Sequence, residues 1–301
     1  MRCTAEGLAE RHLSGFRVGG LSVGVVSARE DDVIFGPHLQ AFRDEPQVFD
    51  IDIRIEWVPN LAPESGREIF HSGATWLVCE SEEGLRFDFG DPSFGEGPCK
   101  RMRVNSRFCQ GTLELSEQSY SAFPWAIPPL DYPVDELLIT HRLTQERGIE
   151  LHGCGIVTTE GTGNLFVGHS GAGKSTTTRL WTAAEDVEIL SDDRIIVREH
   201  PGHMRMYGTP WHGEAMFASP NSAPLTQIMI LEHGHGNVLT RLSRSQAVAE
   251  LFARSFVPMH RHEYVESALE FLQSVAESVP CYRYSFEPDP RAVEKILHLR
   301  D

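Results

Sequence analysis

Apolar and polar residues alternate over "FDIDIRIEW" (residues 49–57), with Phe49, Ile51, Ile53, Ile55 and Trp57 on one side and Asp50, Asp52, Arg54 and Glu56 on the other. A period of two with one apolar face predicts a half-buried antiparallel strand. The signal returns in "TWLVCESEEGLRFDFGD" (75–91) as a strand, an acidic turn through Glu82, Glu83 and Gly84, and a second strand alternating through Leu85, Phe87 and Phe89. That pattern predicts a hairpin. The N-terminal part up to residue 120 therefore reads as β-rich. "SAFPWAIPPLDYP" (121–133) then places four prolines in thirteen residues, which breaks regular structure and marks a boundary. The expected division is a β-rich N-terminal domain over 1–125 and a second domain over 126–301.

Beyond the prolines the period changes. Val134, Leu137, Leu138 and His141 share one helix face, and that helix is expected to stop at Gly148. Strands and helices then interleave through "IELHGCGIV", "LFVG", "VEILSDDRIIV", "MRMYGT", "LTQIMILEH" and "NVLTRLS", the order of an α/β nucleotide-binding core. From Val265, apolar residues at Ala268, Leu269, Leu272, Val275, Ala276 and Val279 form a helical stripe that Pro280 ends. "CYRYSF" reads as a last strand, and Asp289 with Pro290 opens a short helix over "RAVEKILHL".

Inside this core, "GHSGAGKS" fills the pattern G-x-x-x-x-G-K-[ST] with Gly168, Gly173, Lys174 and Ser175. Small residues at Gly168, Ser170, Gly171, Ala172 and Gly173 let backbone N–H groups close around phosphate oxygens, and Lys174, Ser175 and Thr176 open the following helix. Lys174 is then expected at the terminal phosphates and the Ser175 hydroxyl on Mg²⁺. Leu165, Phe166 and Val167 ahead of the loop read as a buried strand, so strand, turn and helix N-terminus together predict an anion site.

Composition narrows the partners. The 301 residues carry 27 Lys+Arg against 43 Asp+Glu, a formal charge of −16, which opposes binding to nucleic acid or an anionic membrane through a general field. A phosphate site must therefore be local. No apolar run has membrane-span length, and "MRCTAEGLAERHLSG" lacks a secretory core; a cytoplasmic location is expected. Six scattered cysteines without a C-x-x-C pair read as free thiols, mostly buried. The histidines in "LEHGHGN" and "MHRHEY" read as loop residues, because third and fourth metal ligands are missing.

A phosphate loop needs a carboxylate near the metal, and "LSDDRIIV" offers Asp192 and Asp193 behind an apolar run. Mg²⁺ allows two adjacent carboxylates to ionise and to divide their work, one holding the metal and the other accepting a proton. His152, ahead of two nearby glycines, reads from the residues alone as a core histidine or as a neighbour of this site.

"LHGCGIV", "GHSGAGKS" and "LSDDRIIV", in this order and spacing, resemble the kinase core of the HPr kinase/phosphorylase superfamily, whose fold is related to ATP-dependent phosphoenolpyruvate carboxykinase. The resemblance covers residues 134–300. It implies a carboxykinase-like P-loop core and makes Asp192 the general base or acid, Asp193 a metal-associated carboxylate, and His152 the residue that orients Asp192 or the phosphate. "GTPWHGEAMFASPNSAPL" (208–225) is similar to a loop of uncharacterised HPr-kinase-like proteins, and gathers Thr209, Trp211, His212 and Glu214. With Arg194, His212 and Glu214 are candidate acceptor or metal contacts. The segment "ILEIRGLG" of HPr kinases is absent, so HPr is not implied as the acceptor.

The expected activity is an ATP-dependent kinase that passes the γ-phosphoryl group to a hydroxyl of a peptide serine or a small metabolite. Its cofactors are ATP and Mg²⁺. The alternatives are a nucleotide-binding regulatory module without transfer, and phosphorylase or hydrolase chemistry in reverse. GTP or pyrophosphate as donor and assembly as a homo-oligomer are left open.

Overall fold

A computed structural model describes residues 12–73, 75–90, 97–121, 128–234 and 236–299. The chain is mixed α/β, with two large sheets and seven α-helices among these residues. It divides into two compact units, one of Leu21–Leu138 with the segment ending at Arg17, the other of Ile139–Asp301 with Val18–Gly20. The 125/126 boundary expected from sequence lies outside the described residues, as do Cys3 and part of the proline-rich stretch.

The first unit contains β1 (His12–Val18), β2 (Leu21–Ser27), α1 (Pro37–Gln40), β3 (Ile51–Val58), β4 (Glu68–His71), β5 (Trp76–Glu80), β6 (Gly84–Phe89), β7 (Lys100–Asn105), β8 (Gln110–Ser116) and α2 (Glu117–Tyr120). The strands order as β1-β2-β3-β8-β7-β6-β5-β4. The alternation over β3 holds, with Ile51, Ile53 and Ile55 buried and Asp52, Arg54 and Glu56 exposed. Its pairing is a correction to the antiparallel expectation: β3 runs parallel to both β2 and β8. Alternation reports one buried face and is silent on the direction of the neighbours. The β5–β6 hairpin forms as expected. On the polar side of this sheet, Glu64, from the connection between β3 and β4, is gripped by Arg86, Arg101 and Arg103.

α3 (Val134–Leu143) leads into the second unit and ends five residues before Gly148; Arg147 takes a left-handed φ of 49°, and Gly148 begins the next strand. The remaining elements are β9 (Gly148–Thr158), β10 (Gly163–Val167), α4 (Lys174–Ala184), β11 (Val187–Ser191), β12 (Arg194–His200), β13 (His203–Tyr207), β14 (Ser222–His233), β15 (Val238–Arg241), α5 (Arg244–Phe252), α6 (His262–Ser278), β16 (Cys281–Phe286) and α7 (Arg291–Leu297). "VEILSDDRIIV" is two strands rather than one, broken at Asp192 and Asp193.

β10, β14 and β16 run parallel. Side-chain alternation sends Leu165, Val167, Ile228 and Ile230 into a core with α5 and α6, and Phe166, Met229, Tyr284 and Phe286 into a second core with Trp181 of α4 and with α7. The parallel strands are thus buried on both faces, which is why they read as continuous apolar runs. Their C-terminal ends, at Val167, His233 and Phe286, share one edge. Ligands of parallel α/β sheets bind outside that edge.

Candidate functional site

The site is built from the end of β10 outward. β10 is buried along its whole length, and the chain leaves it at Gly168 to enter α4 at Lys174. Gly171 and Gly173 adopt left-handed φ values of 79° and 105°. At Gly173 the reason is also spatial: a Cβ there would lie 2.6 Å from Cζ of Phe286, so only glycine takes both the dihedral and the space. His169 and Ser170 are exposed, Ala172 is half-buried, and Ser175 and Thr176 sit half-buried in the first turn of α4. His233, at the end of β14, braces the loop through Nε2, 2.7 Å from the Gly171 carbonyl oxygen.

Lys174 is 7% exposed. Its Nζ donates to the carbonyls of Gly168 (3.2 Å) and His169 (3.3 Å), lies 2.7 Å from His152 Nε2, and stands 3.9 Å from Asp193 Oδ1. Burial lowers its pKa against the opposing pull of Asp193. Behind it, burial pushes the Cys154 thiol up to about 12, which leaves that sulfur a packing group rather than a nucleophile.

Asp192 and Asp193 occupy the break between β11 and β12 and do different things. Asp192 is 1% exposed; its Oδ1 accepts from the backbone N–H of Gly213 (2.9 Å) and its Oδ2 from that of Ala215 (2.8 Å). Asp193 Oδ1 lies 2.9 Å from His152 Nε2, and its Oδ2 accepts from Arg194 Nη1 at 2.7 Å. Burial pushes the Asp193 carboxyl up, but the hydrogen bond from His152 and the charges of His152, Arg194 and Lys174 outweigh it and hold the pKa below the usual carboxylate value. The His152 side chain therefore meets Asp193 and Lys174.

Arg194 is fixed on three sides. Its Nε is 3.3 Å from Glu150 Oε1, its guanidinium stacks 4.6 Å from the Phe256 ring centroid, and its carbonyl accepts from Thr209 Oγ1 at 2.8 Å. The segment expected as a loop over 208–225 gives way to β14 at Ser222, and it reaches Asp192 through backbone. Trp211 is buried, whereas the side chains of His212 and Glu214 are exposed, and His212 Nδ1 lies 3.1 Å from the Gly213 carbonyl oxygen. Gly213 permits the approach, since a Cβ there would stand 3.0 Å from Asp192 Oδ2.

Glu150 and Phe256 were not singled out from sequence. Glu150 sits on β9 two residues before His152, so strand periodicity would have placed it on the same face as His152. Phe256 follows a helix, α5, that the apolar pattern did not mark, and no local pattern connects it to β9.

Among the described residues no group of three or more His, Cys, Asp and Glu side chains could hold a metal ion. The oxygens of Ser175 and Asp193 suit Mg²⁺, a hard cation that keeps waters and takes phosphate oxygens as ligands rather than needing an all-protein cage. None of the described cysteines is in a disulfide: Cys79, Cys99, Cys154 and Cys281 are buried and Cys109 is partly buried. No helix among the described residues is long and apolar enough to cross a membrane. The chain matches no protein-family model, and no curated protein matches it.

Proposed function

We propose that the protein is an ATP-dependent phosphotransferase of the HPr-kinase-like type, with a carboxykinase-like P-loop core, that moves the γ-phosphoryl group to a hydroxyl acceptor. The observation that carries the reading is the convergence of Lys174, His152 and Asp193 at the mouth of a Gly168–Ser175 loop set between a buried strand and a helix N-terminus. A bare anion site needs the loop and the lysine alone. A carboxylate oriented by a histidine beside the lysine is the addition that transfer requires.

In this reading the loop amides and Lys174 hold the triphosphate and stabilise charge on the transferring group. Asp193 accepts the acceptor's proton. A depressed pKa is no obstacle there, because a loose phosphoryl-transfer transition state asks little of its base until bond formation is advanced. His152 orients Asp193, and Asp192, whose oxygens both serve backbone N–H groups, braces the 208–225 loop. The base role thus passes from Asp192, as the resemblance implied, to its neighbour. Ser175, and Asp193 through water, would hold Mg²⁺, which would supply neutralisation of the triphosphate charge.

A second reading is a nucleotide-holding module, favoured by the engagement of both Asp193 oxygens by His152 and Arg194. Incubation with γ-labelled ATP, Mg²⁺ and a panel of serine peptides and small alcohols separates the two. Label on a hydroxyl acceptor is the expected result. Tight ATP binding with no label leaving the nucleotide would establish the module instead.

A further inference from the structure

The first unit holds an open cavity of about 640 Å³ at the β4–β5–β6 end of its sheet. Strand register builds its floor. Glu68, Cys79 and Arg86 stand opposite one another across these strands, and His71, Leu77 and Asp88 form the next row. Glu68 and His71 would lie on opposite faces of a regular strand. The register shift between Glu68 and Phe70 inserts the extra residue that returns both to one face. All six residues border the cavity.

The opposite wall is the connection between β3 and β4, and Arg86 ties it down. Its Nη1 donates to the Ser65 carbonyl at 3.0 Å and lies 2.8 Å from Glu64 Oε1, its Nη2 donates to the Glu64 carbonyl at 2.7 Å, and its Nε donates to Asp88 Oδ2 at 3.1 Å. Most of the guanidinium's donors are thus used within the chain. Gly66 lets the connection close on the floor, since a Cβ there would stand 3.3 Å from Cys79 Cβ. Asp88 is 8% exposed. One of its oxygens takes Arg86 Nε and the other takes Arg101 Nε at 2.5 Å. A carboxylate has about four lone-pair sites, so Asp88 keeps accepting capacity at the cavity.

The charge left over is negative. Arg86, Arg101 and Arg103 balance Glu64, Asp88 and Glu114 in one network. Glu68, exposed at the cavity wall, has no cation paired with it among the described residues. The cavity therefore offers hydrogen-bond acceptors and an unbalanced negative charge, and the formal charge of −16 favours the approach of cations. Its volume lies in the range of sites that enclose a whole organic ligand, and a lone alkyl ammonium would leave most of it filled with water. We propose that this cavity binds a short stretch of a basic peptide, with a lysine or arginine side chain donating to Asp88 and Glu68. The site gives the first unit a ligand of its own and is independent of the phosphotransferase reading.

Titration of the full chain, without nucleotide, tests it by amide NMR and calorimetry. The probes are a blocked pentapeptide with a central arginine, its lysine, glutamine and glutamate counterparts, and ethylguanidinium. The arginine and lysine peptides are expected to bind and to shift the amides of Leu77, Cys79 and Arg86, with the glutamine and glutamate peptides weaker by about fivefold or more. Glu68→Gln should weaken the arginine peptide about twofold to fivefold, the worth of an exposed charge pair. Glu68→Lys, which sets a like charge against the ligand, should weaken it by about tenfold or more. Both substitutions are at an exposed position, and thermal melting checks the fold; if the Lys variant does not fold, the Gln variant decides. Equal binding of arginine and glutamine peptides, amide shifts outside the cavity, or wild-type affinity in a folded Glu68 variant overturns the site. Ethylguanidinium binding as tightly as the arginine peptide overturns the peptide as its ligand. None of these outcomes bears on the phosphate loop.

Discussion

At the residue scale, two adjacent aspartates have separate surroundings because the chain breaks between two strands where they stand. Asp192 turns inward to two backbone N–H groups, and Asp193 turns to His152, Lys174 and Arg194. Their amides should therefore fail differently. Asp193→Asn should fold normally and slow single-turnover phosphoryl transfer by about a hundredfold or more, the usual worth of a positioned general base. Asp192→Asn exchanges one acceptor oxygen for a donor facing an N–H, which should cost about 1–3 kcal/mol in unfolding free energy and loosen the 208–225 loop. Denaturant melts and single-turnover kinetics on both variants check this. A larger rate loss in a stable Asp192→Asn than in Asp193→Asn would return the base role to Asp192.

At the element scale, what was legible in the sequence is what local chemistry controls. "GHSGAGKS" announces its turn because glycine dihedrals and a helix start demand those residues, and the loop forms between β10 and α4 where expected. The parallel setting of β3, the division of "VEILSDDRIIV" into β11 and β12, and the pairing of Ser255 with Leu151 were not legible. Each is decided by a partner distant in sequence, which periodicity does not encode. The same limit hid the Glu64 connection over β6 and β7. There the hydrogen bond from Arg103 leads the effects that lower the Glu64 pKa from 4.5 to about 2. A depressed folded-state value stabilises the fold at pH above 4.5, and the contribution is lost as pH falls from 4.5 towards about 2. Because the Glu64 side chain is 40% exposed, solvent screening keeps the effect small. Melting temperatures measured from pH 6 down to pH 2 should fall less steeply for Glu64→Gln than for the wild type in that window; parallel curves would show that the arginines grip Glu64 without stabilising the unit.

At the scale of the whole molecule, a formal charge of −16 means that any phosphate ligand must be drawn by a local concentration of donors rather than by the general field. In the proposed site those donors are the loop amides and Lys174, with Asp193 beside the lysine. Lys174 is the most exacting test, because it is 7% exposed yet its ammonium is bound by polar atoms rather than by the apolar core. Removing it should leave the fold in place and take a charge-assisted contact from the nucleotide. Calorimetric titration of Mg²⁺-ATP into the wild type and Lys174→Ala is the most direct measurement. Binding by the wild type and an affinity lower by about tenfold or more in the variant is the predicted result; equal affinity in two equally folded proteins would contradict a nucleotide site at this loop.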